Sequence, residues 1–434
     1  MELLKGNHLC ACGKHHNGIL DAYIAESGAV CHVAEFVKKY NCKKAFLVAD
    51  ATTFSVAGNQ VCRNLTDNGI PFSKYVFPVS PKPDETAVGS AIMHYDAACD
   101  IIIGIGSGVI NDISKIVAHV TDHPYIIVAT APSMDGYASA SSSMEMNGLK
   151  VSLPSKCANV VIGDIDILKN APQRMLISGL GDMLAKYVSI CEWRIAHTIT
   201  GEYYCEEVAS LIRSAVEKCM DNATGLLNRD EDAVAAVFEG LILGGIAMNY
   251  AGVSRPASGV EHYFSHVWDM RALEFGTNAD FHGIQCAIGT LYAIKVYEQL
   301  REITPNKEKA LTYAQAFDLQ AHFEDLRTFL GKGADAMIAL EEKEGKYDLN
   351  KHTQRLDVIL SHWEELVQIM DEELIFSSEL ENILTLLSAP KTAAEIGIDE
   401  QIVPMTFRAT KDIRDKYVLS RLCWDLGVLD EIKI

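Results

Sequence analysis

The segment GLGDMLAKY, residues 179–187, sets one acid, Asp182, and one base, Lys186, four residues apart within an apolar run of helical character. On a helix that spacing turns both side chains to one face. A plain ion pair is one use of such a face; a metal-binding carboxylate beside a cation is another. Further along, SRPASGVEHYFSH places His262 and His266 one helical turn apart, and FHGIQCAIG sets His282 just before an apolar helix. One carboxylate and two or three imidazoles suit zinc, nickel or ferrous iron, and three protein ligands leave positions open to a substrate oxygen. Singly, each residue has an ordinary reading. An acid in an apolar helix pairs with a lysine, and a helix histidine caps or meets solvent. The joint pattern points to a metal.

Two other clusters carry chemistry. In DIIIGIGSG (100–108) an apolar run ends on Gly104, Gly106, Ser107 and Gly108, ahead of the helical VINDISKIVAHV (109–120). Glycines at a strand-to-helix turn let the backbone approach a phosphate, and the helix N-terminus offers free N–H groups at a positive dipole end. The spacing is not GxGxxG, because Val109 interrupts it, and a tight turn without a ligand has the same composition. Asp50 closes the run KKAFLVAD. A carboxylate there accepts from ribose hydroxyls and repels a 2′-phosphate, although it also suits a helix cap. CACGKHH gathers Cys10, Cys12, His15 and His16. A structural zinc site usually closes with a second ligand pair; none is evident in the sequence, so a surface turn is expected.

These residues need elements to position them. Segments 43–50, 72–77, 100–108, 124–130 and 158–164 read as strands, and 55–69, 84–95 and 109–120 as helices. Such alternation implies a mostly parallel sheet with helices on both faces. APSMDGYASASSSMEMNG, between the last two strands, reads as a long polar loop. Beyond about residue 170 helical periodicity takes over, at 172–195, 202–222, 230–250, 259–272 and 282–300. The amphipathic HTQRLDVILSHWEELVQIMDEE then packs either on the core or on a second subunit. The expected fold is an α/β N-terminal domain (1–168) with a dinucleotide-binding turn, then an all-helical C-terminal domain (169–434), with the site in the cleft between them. The 434 residues, 49% hydrophobic and 22% charged, allow ample core. A formal charge of −20 without a basic block argues against nucleic acid and anionic membrane as partners. The 12 scattered cysteines, and an N-terminus without an apolar leader, fit reduced thiols in a cytoplasmic protein. No apolar run long enough to span a bilayer is expected.

Taken together, GIGSGVINDISK, TAPSMDGYASASSS, GLGDMLAKY, SRPASGVEHYFSH, FHGIQCAIG and ATKDIRDKYVLSRLCWDLGVL resemble the glycerol-1-phosphate dehydrogenases. That family sits within the superfamily of dehydroquinate synthases and iron-dependent alcohol dehydrogenases. The likeness is to its bacterial branch, with a longer C-terminal part, and runs over nearly the whole chain. The resemblance implies metal-dependent, reversible reduction of dihydroxyacetone phosphate to sn-glycerol-1-phosphate with NADH or NADPH. It implies a homodimer with one divalent metal per subunit, zinc, nickel or iron. Asp182, His262 and His282 match the metal ligands, and Gly106, Ser107 and Gly108 the pyrophosphate cradle. Asp50, Asp112, Thr130, Ser133 and Ser139 fall around the rest of the dinucleotide. Beside that resemblance, residue chemistry suggests that Asp135 orients the substrate hydroxyl or a relay water, that His266 relays a proton, and that Lys186 meets the substrate phosphate, with Arg255 as a second candidate. Some iron-type relatives carry a further histidine where this chain has Lys186, so that ligand is missing here. The alternative is a glycerol or other polyol dehydrogenase of the same superfamily, acting on an unphosphorylated substrate. A dehydroquinate synthase-like lyase has Glu in place of Asp182.

Overall fold

The computed structural model describes residues 8–147 and 149–434. They form two compact units, Met1–Met183 with Ser210–Val253, and Leu184–Ala209 with Ser254–Ile434.

In the first unit, β1 (His8–Leu9) and β2 (His15–His16) pair as a short antiparallel hairpin. The main strands are β3 (Ala22–Glu26), β4 (Ala45–Asp50), β5 (Phe72–Phe77), β6 (Ile101–Gly106) and β7 (Tyr125–Ala129). A second antiparallel hairpin, β8 (Ser141–Met146) and β9 (Leu149–Pro154), precedes the last main strand, β10 (Val160–Asp164). The six-stranded sheet runs β3-β10-β7-β6-β4-β5, and every pairing is parallel. Its central strands are buried along their whole length. This is why AFLVAD, IIIGIG, YIIVA and VVIGD read as apolar runs rather than alternations.

The structure departs from the sequence reading at several places. The edge strand β3, AYIAE, is short and only partly buried, so no apolar run announced it. The stretch expected as a long loop contains β8, and β9 follows directly after it. Ser142 and Met144 are buried there, and the Ser142 hydroxyl donates to the Asp112 carbonyl at 3.1 Å. A serine satisfied in this way occupies a buried strand position without penalty, and the polar composition hid the strand. The helix expected over 172–195 is two, Gln173–Leu184 and Lys186–Thr200. At the break the N–H groups of Val188 and Ser189 both reach the Ala185 carbonyl, a tightened turn. Finally, helix Glu231–Ala251 is long and apolar enough to cross a membrane, although no such run was expected. In the protein 72% of its most apolar window is buried, with Phe238 filling the space beside Gly163 and Gly245 against Ala138.

In the second unit, Val267 of helix Val260–Phe275 joins Phe323, Leu326, Leu330 and Ile338 in one core. HTQRLDVILSHWEELVQIMDEE forms helices Leu349–Ser361 and Trp363–Glu373, whose Leu356, Ile359, Leu366 and Met370 are buried within this chain. Of the two uses the sequence left open for it, the core is thus the observed one.

One close approach in the first unit sets the geometry of the site. A Cβ on Gly179 would fall 1.8 Å from the Pro132 carbonyl oxygen, so only glycine lets helix Gln173–Leu184 lie against the segment 131–135. Gly179→Ala is expected to destabilise the protein by about 3 kcal/mol, the upper part of the range for overpacked sites. Gly89, in helix Glu85–Met93, is the contrast, since an added Cβ there meets nothing within 4 Å among the described residues. Gly89→Ala should stabilise by about 0.5–1 kcal/mol. Urea unfolding of both variants measures the two effects, and a neutral Gly179→Ala would refute the packing argument.

Candidate functional site

Strands β4 and β6 are neighbours, but the chain leaves β4 toward the β5 edge and leaves β6 the other way, toward β7. In an open parallel sheet such a reversal opens a crevice at the carboxyl ends of the strands. Asp50 ends β4 and Gly106 ends β6, so both residues expected to meet a dinucleotide stand at that point. Ser107 precedes helix Gly108–Thr121, and its hydroxyl bonds that of Ser133 at 2.6 Å. Among the described residues its side chain caps none of the helix N–H groups, and no acid stands in the first turn. An anion fits such a terminus. The Thr130 N–H donates to the Gly106 carbonyl at 3.1 Å, which fixes the next strand end beside the turn. Asp50 is engaged locally, in a reciprocal cap with Thr53 and with the Ser80 hydroxyl at 3.3 Å. This is the helix cap that the sequence also allowed.

Lys115, not singled out in the sequence, is fully buried. Its ammonium donates to the Gly136 carbonyl at 2.5 Å and to Ser139 Oγ and the Ser141 carbonyl at 3.0 Å each. It thereby ties the 136–141 segment to helix Gly108–Thr121. Asp112 lies 3.6 Å from the same ammonium, and burial pushes its carboxyl above the ordinary range in spite of that cation. The available signal was a lysine three residues after an acid in an otherwise apolar helix. Asp182, fully buried on the helix that Gly179 brings close, accepts the Asp135 N–H through Oδ2 at 2.9 Å. Carboxylate oxygens of Asp135 and Asp182 lie within 4.8 Å of each other.

In the second unit, helix Val260–Phe275 carries His262 and His266, and helix His282–Arg301 begins at His282. The His262 and His282 rings are 5.1 Å apart; those of His266 and His282 stack at 6.0 Å. His262 Nδ1 lies 2.7 Å from Glu261 Oε1, and His282 Nδ1 lies 2.8 Å from Ser265 Oγ. An ionised Glu261 carboxylate can only accept, so it takes the His262 Nδ1–H and leaves Nε2 its lone pair, while Ser265 orients the His282 ring. Cys286, one turn beyond His282, went unread as a possible donor. Its Sγ lies 3.6 Å from His282 Nε2. Burial pushes its thiol up, but the His262 and His282 imidazoles outweigh that and hold it below the ordinary value.

Behind His262 two buried carboxyls converge. Glu192 accepts the N–H groups of Leu419 and Val260 at 2.7 and 2.9 Å, and Glu261 accepts that of Gly259 at 2.6 Å. A Cβ on Gly259 would fall 2.5 Å from Glu192 Oε2 and 2.7 Å from Glu261 Oε2, so glycine leaves room for both. Burial, and then the charge of Glu261, pushes the Glu192 carboxyl up to about 8. Of the expected phosphate ligands, Lys186 is fully buried in the first turn of its helix. Arg255 gives Nη2 to Glu202 Oε2 at 2.8 Å and Nη1 to the Tyr417 carbonyl at 2.9 Å, and its Nε lies 2.5 Å from Glu202 Oε1 as an ion pair. Lys416, unmarked in the sequence, donates to the Ser258 carbonyl at 2.6 Å, and burial, then Arg255, pushes it down to about 7.

A family model described as iron-containing alcohol dehydrogenase matches residues 24–172. A glycerol-1-phosphate dehydrogenase, NAD(P)+, of Bacillus licheniformis is 31% identical over 296 residues, 67% of this chain and 74% of that protein. One of the same name from Methanothrix thermoacetophila is 35% identical over 270 residues, 62% of this chain and 74% of that one. The chain belongs to the glycerol-1-phosphate dehydrogenase family. A third relative of that name, from Halalkalibacterium halodurans, aligns at 25% identity over 415 residues, 94% of each protein. The family likeness therefore includes the helical part. Among solved structures, glycerol dehydrogenase from Schizosaccharomyces pombe matches with a TM-score of 0.63 at 18% identity, covering 95% of this chain and 89% of that one. At that identity the likeness concerns the fold.

The buried Glu192 gives this member of the glycerol-1-phosphate dehydrogenase family a pH signature. Its folded carboxyl keeps a proton up to about 8, whereas the unfolded chain releases it near the ordinary 4.5. The folded state thus binds more protons between those values, so this group's stabilisation is complete at low pH and is lost as pH rises toward 8. In chelator-treated protein, Glu192→Gln should flatten the decline of melting temperature between about pH 5 and 8. An unchanged slope would remove Glu192 as its source.

Proposed function

We propose that the chain reversibly reduces dihydroxyacetone phosphate to sn-glycerol-1-phosphate with NADH or NADPH, using one divalent cation held by Asp182, His262 and His282. The observation that carries the reading is the imidazole pair, each ring held at Nδ1, by Glu261 and by Ser265. Relatives named glycerol-1-phosphate dehydrogenase, NAD(P)+, support the choice of reaction. A carboxylate with two imidazoles suits zinc, nickel or iron. When bound, the cation supplies Lewis acidity toward the ketone oxygen and the reduced nicotinamide supplies hydride.

The chain's own residues bind, orient and move the proton. Gly106, Ser107 and Gly108 present the first-turn N–H groups to the pyrophosphate. Asp50, Asp112, Thr130, Ser133 and Ser139 complete the dinucleotide site. Asp135, whose N–H holds Asp182, orients the substrate hydroxyl. His266, stacked on His282, delivers the proton at the former ketone oxygen. Lys186 meets the phosphate; Arg255 is the second candidate, because Glu202 competes for its guanidinium. Residues 1–168 serve the nucleotide and 169–434 the metal and substrate, in a cytoplasmic homodimer.

His282→Ala should lose the catalytic cation and nearly all turnover while still binding NADH, read by metal analysis and NADH fluorescence titration. A variant with wild-type turnover would remove the metal assignment. Lys186→Ala should raise KM for dihydroxyacetone phosphate about 10- to 100-fold, the loss of one charge-assisted hydrogen bond of roughly 1.5–3 kcal/mol. Dihydroxyacetone should be affected far less. Equal effects on both substrates would count against a phosphate role for the lysine.

A further inference from the structure

The N-terminal hairpin holds a cluster that the reaction does not use. The strands β1 and β2 have two residues each, and hairpins that short do not stand alone in water. Yet the turn between them is not the surface turn expected from the sequence: Cys10 is 5% exposed and His16 is wholly buried. Gly13, at φ +84°, reverses the chain, with its N–H on the Cys10 carbonyl and the Cys10 N–H on the Lys14 carbonyl, both at 2.9 Å.

We propose that Cys10, Cys12 and His16 hold a structural zinc ion. Cys10 Sγ, Cys12 Sγ and a ring nitrogen of His16 all lie within 4.8 Å of one another. Cys12 Sγ and His16 Nε2 are 3.6 Å apart. Tetrahedral zinc, with Zn–S of about 2.3 Å and Zn–N of about 2.05 Å, places a sulfur and a nitrogen roughly 3.5 Å from each other. The tautomer of His16 points the same way. Its Nδ1 is 3.1 Å from the Tyr250 carbonyl, which can only accept, so Nδ1 carries the proton and Nε2 the lone pair facing the sulfur. The Cys12 N–H points at Cys10 Sγ at 3.5 Å, where it stabilises a thiolate. Two thiolates and an imidazole are a soft set, matched to zinc rather than to calcium or magnesium. Tetrahedral zinc requires a fourth donor beside these three.

The ion would act at a distance through packing. Lys14 and His16 bind the last carbonyls of helix Glu231–Ala251, at Ala251 (3.0 Å) and Tyr250, and the His16 ring stacks on Tyr250 at 5.2 Å. That helix in turn holds the turn Asp135–Ala138, with Asn249 Nδ2 on the Ala138 carbonyl at 2.6 Å. Zinc at the hairpin thus pins the helix end that supports the Asp135 turn. The same residues without an ion would form a thiol–imidazole hydrogen bond and cap the helix.

The two arrangements separate in a His282→Ala background, chosen to clear the catalytic cation. The purified protein, dialysed against free zinc, should retain one zinc per chain by elemental analysis. X-ray absorption at the zinc edge should count two sulfurs at about 2.3 Å, or three if the fourth donor is also a cysteine. Adding Cys12→Ser or His16→Gln should remove that zinc and lower the melting temperature by several degrees, with turnover in the otherwise wild-type chain reduced only partly. Absence of retained zinc, or a zinc with no sulfur or one, overturns the proposal, and neither reading depends on the hairpin variants folding.

Discussion

The approach of Gly179 to the Pro132 carbonyl is the contact on which the chemistry of the first unit depends. With any side chain at 179, helix Gln173–Leu184 must stand off from the segment that carries Ser133 and Asp135. With glycine it comes near enough for two bonds to link the two, and a third ties the segment to the glycine turn. The Ser178 hydroxyl donates to the Ser133 carbonyl at 2.9 Å, the Asp135 N–H donates to Asp182, and Ser133 Oγ meets Ser107 Oγ at the phosphate turn. The carboxylate proposed for the metal and the turn proposed for the pyrophosphate therefore belong to one hydrogen-bonded frame. Reacting groups must hold position to about 0.5 Å, and a frame of buried, mutually satisfied bonds does that where loop residues alone would not.

The second unit solves a different problem, the orientation of imidazoles. Glu261 and Ser265 each grip an Nδ1, so neither ring can turn without breaking a buried bond. The acid that grips His262 is itself next to Glu192, and two ionised carboxylates in so dry a place repel each other strongly. Retaining a proton on Glu192 up to about 8 relieves that repulsion and leaves Glu261 able to accept from the ring. The overall charge of −20 is a poor guide to how this region meets an anion. Charges beyond a Debye length of roughly 8 Å are screened, so the local field depends on nearby groups such as the Arg255–Glu202 pair.

How much of this was legible follows from what each residue answers to. The parallel sheet could be read because β4, β6, β7 and β10 are buried on both faces and so spell continuous apolar runs. The hairpin β8–β9 could not, since Ser142 earns burial through hydrogen bonds that no periodicity records. His262, His266 and His282 were found because residue type and helical spacing are sequence properties. Cys286 shares His282's helix face at i+4 but sits in an apolar run, where a cysteine reads as one more small hydrophobe. Lys115 and Glu192 were missed for the same reason: their partners are backbone groups of distant segments. CACGKHH was visible as a cluster, while burial of Cys10 and His16 against helix Glu231–Ala251 was not.

The two metal proposals call for different donors, and the difference has a physical basis. A structural ion needs a saturated shell that excludes water, which two thiolates and an imidazole provide for zinc once a fourth donor joins them. A catalytic ion needs positions left for substrate, which a carboxylate and two imidazoles provide because three ligands do not fill the shell. Placing Cys10 and Cys12 with His16, and Asp182 with His262 and His282 in the proposed set, assigns sulfur to permanence and oxygen to turnover. Softness then sorts the ions. Zinc held by two thiolates resists exchange with nickel or iron, while the Asp-His-His set accepts any of the three. A change of metal supply would on this reasoning alter the catalytic ion and leave the hairpin ion in place, so the helix end that carries the Asp135 turn stays fixed whichever cation does the chemistry.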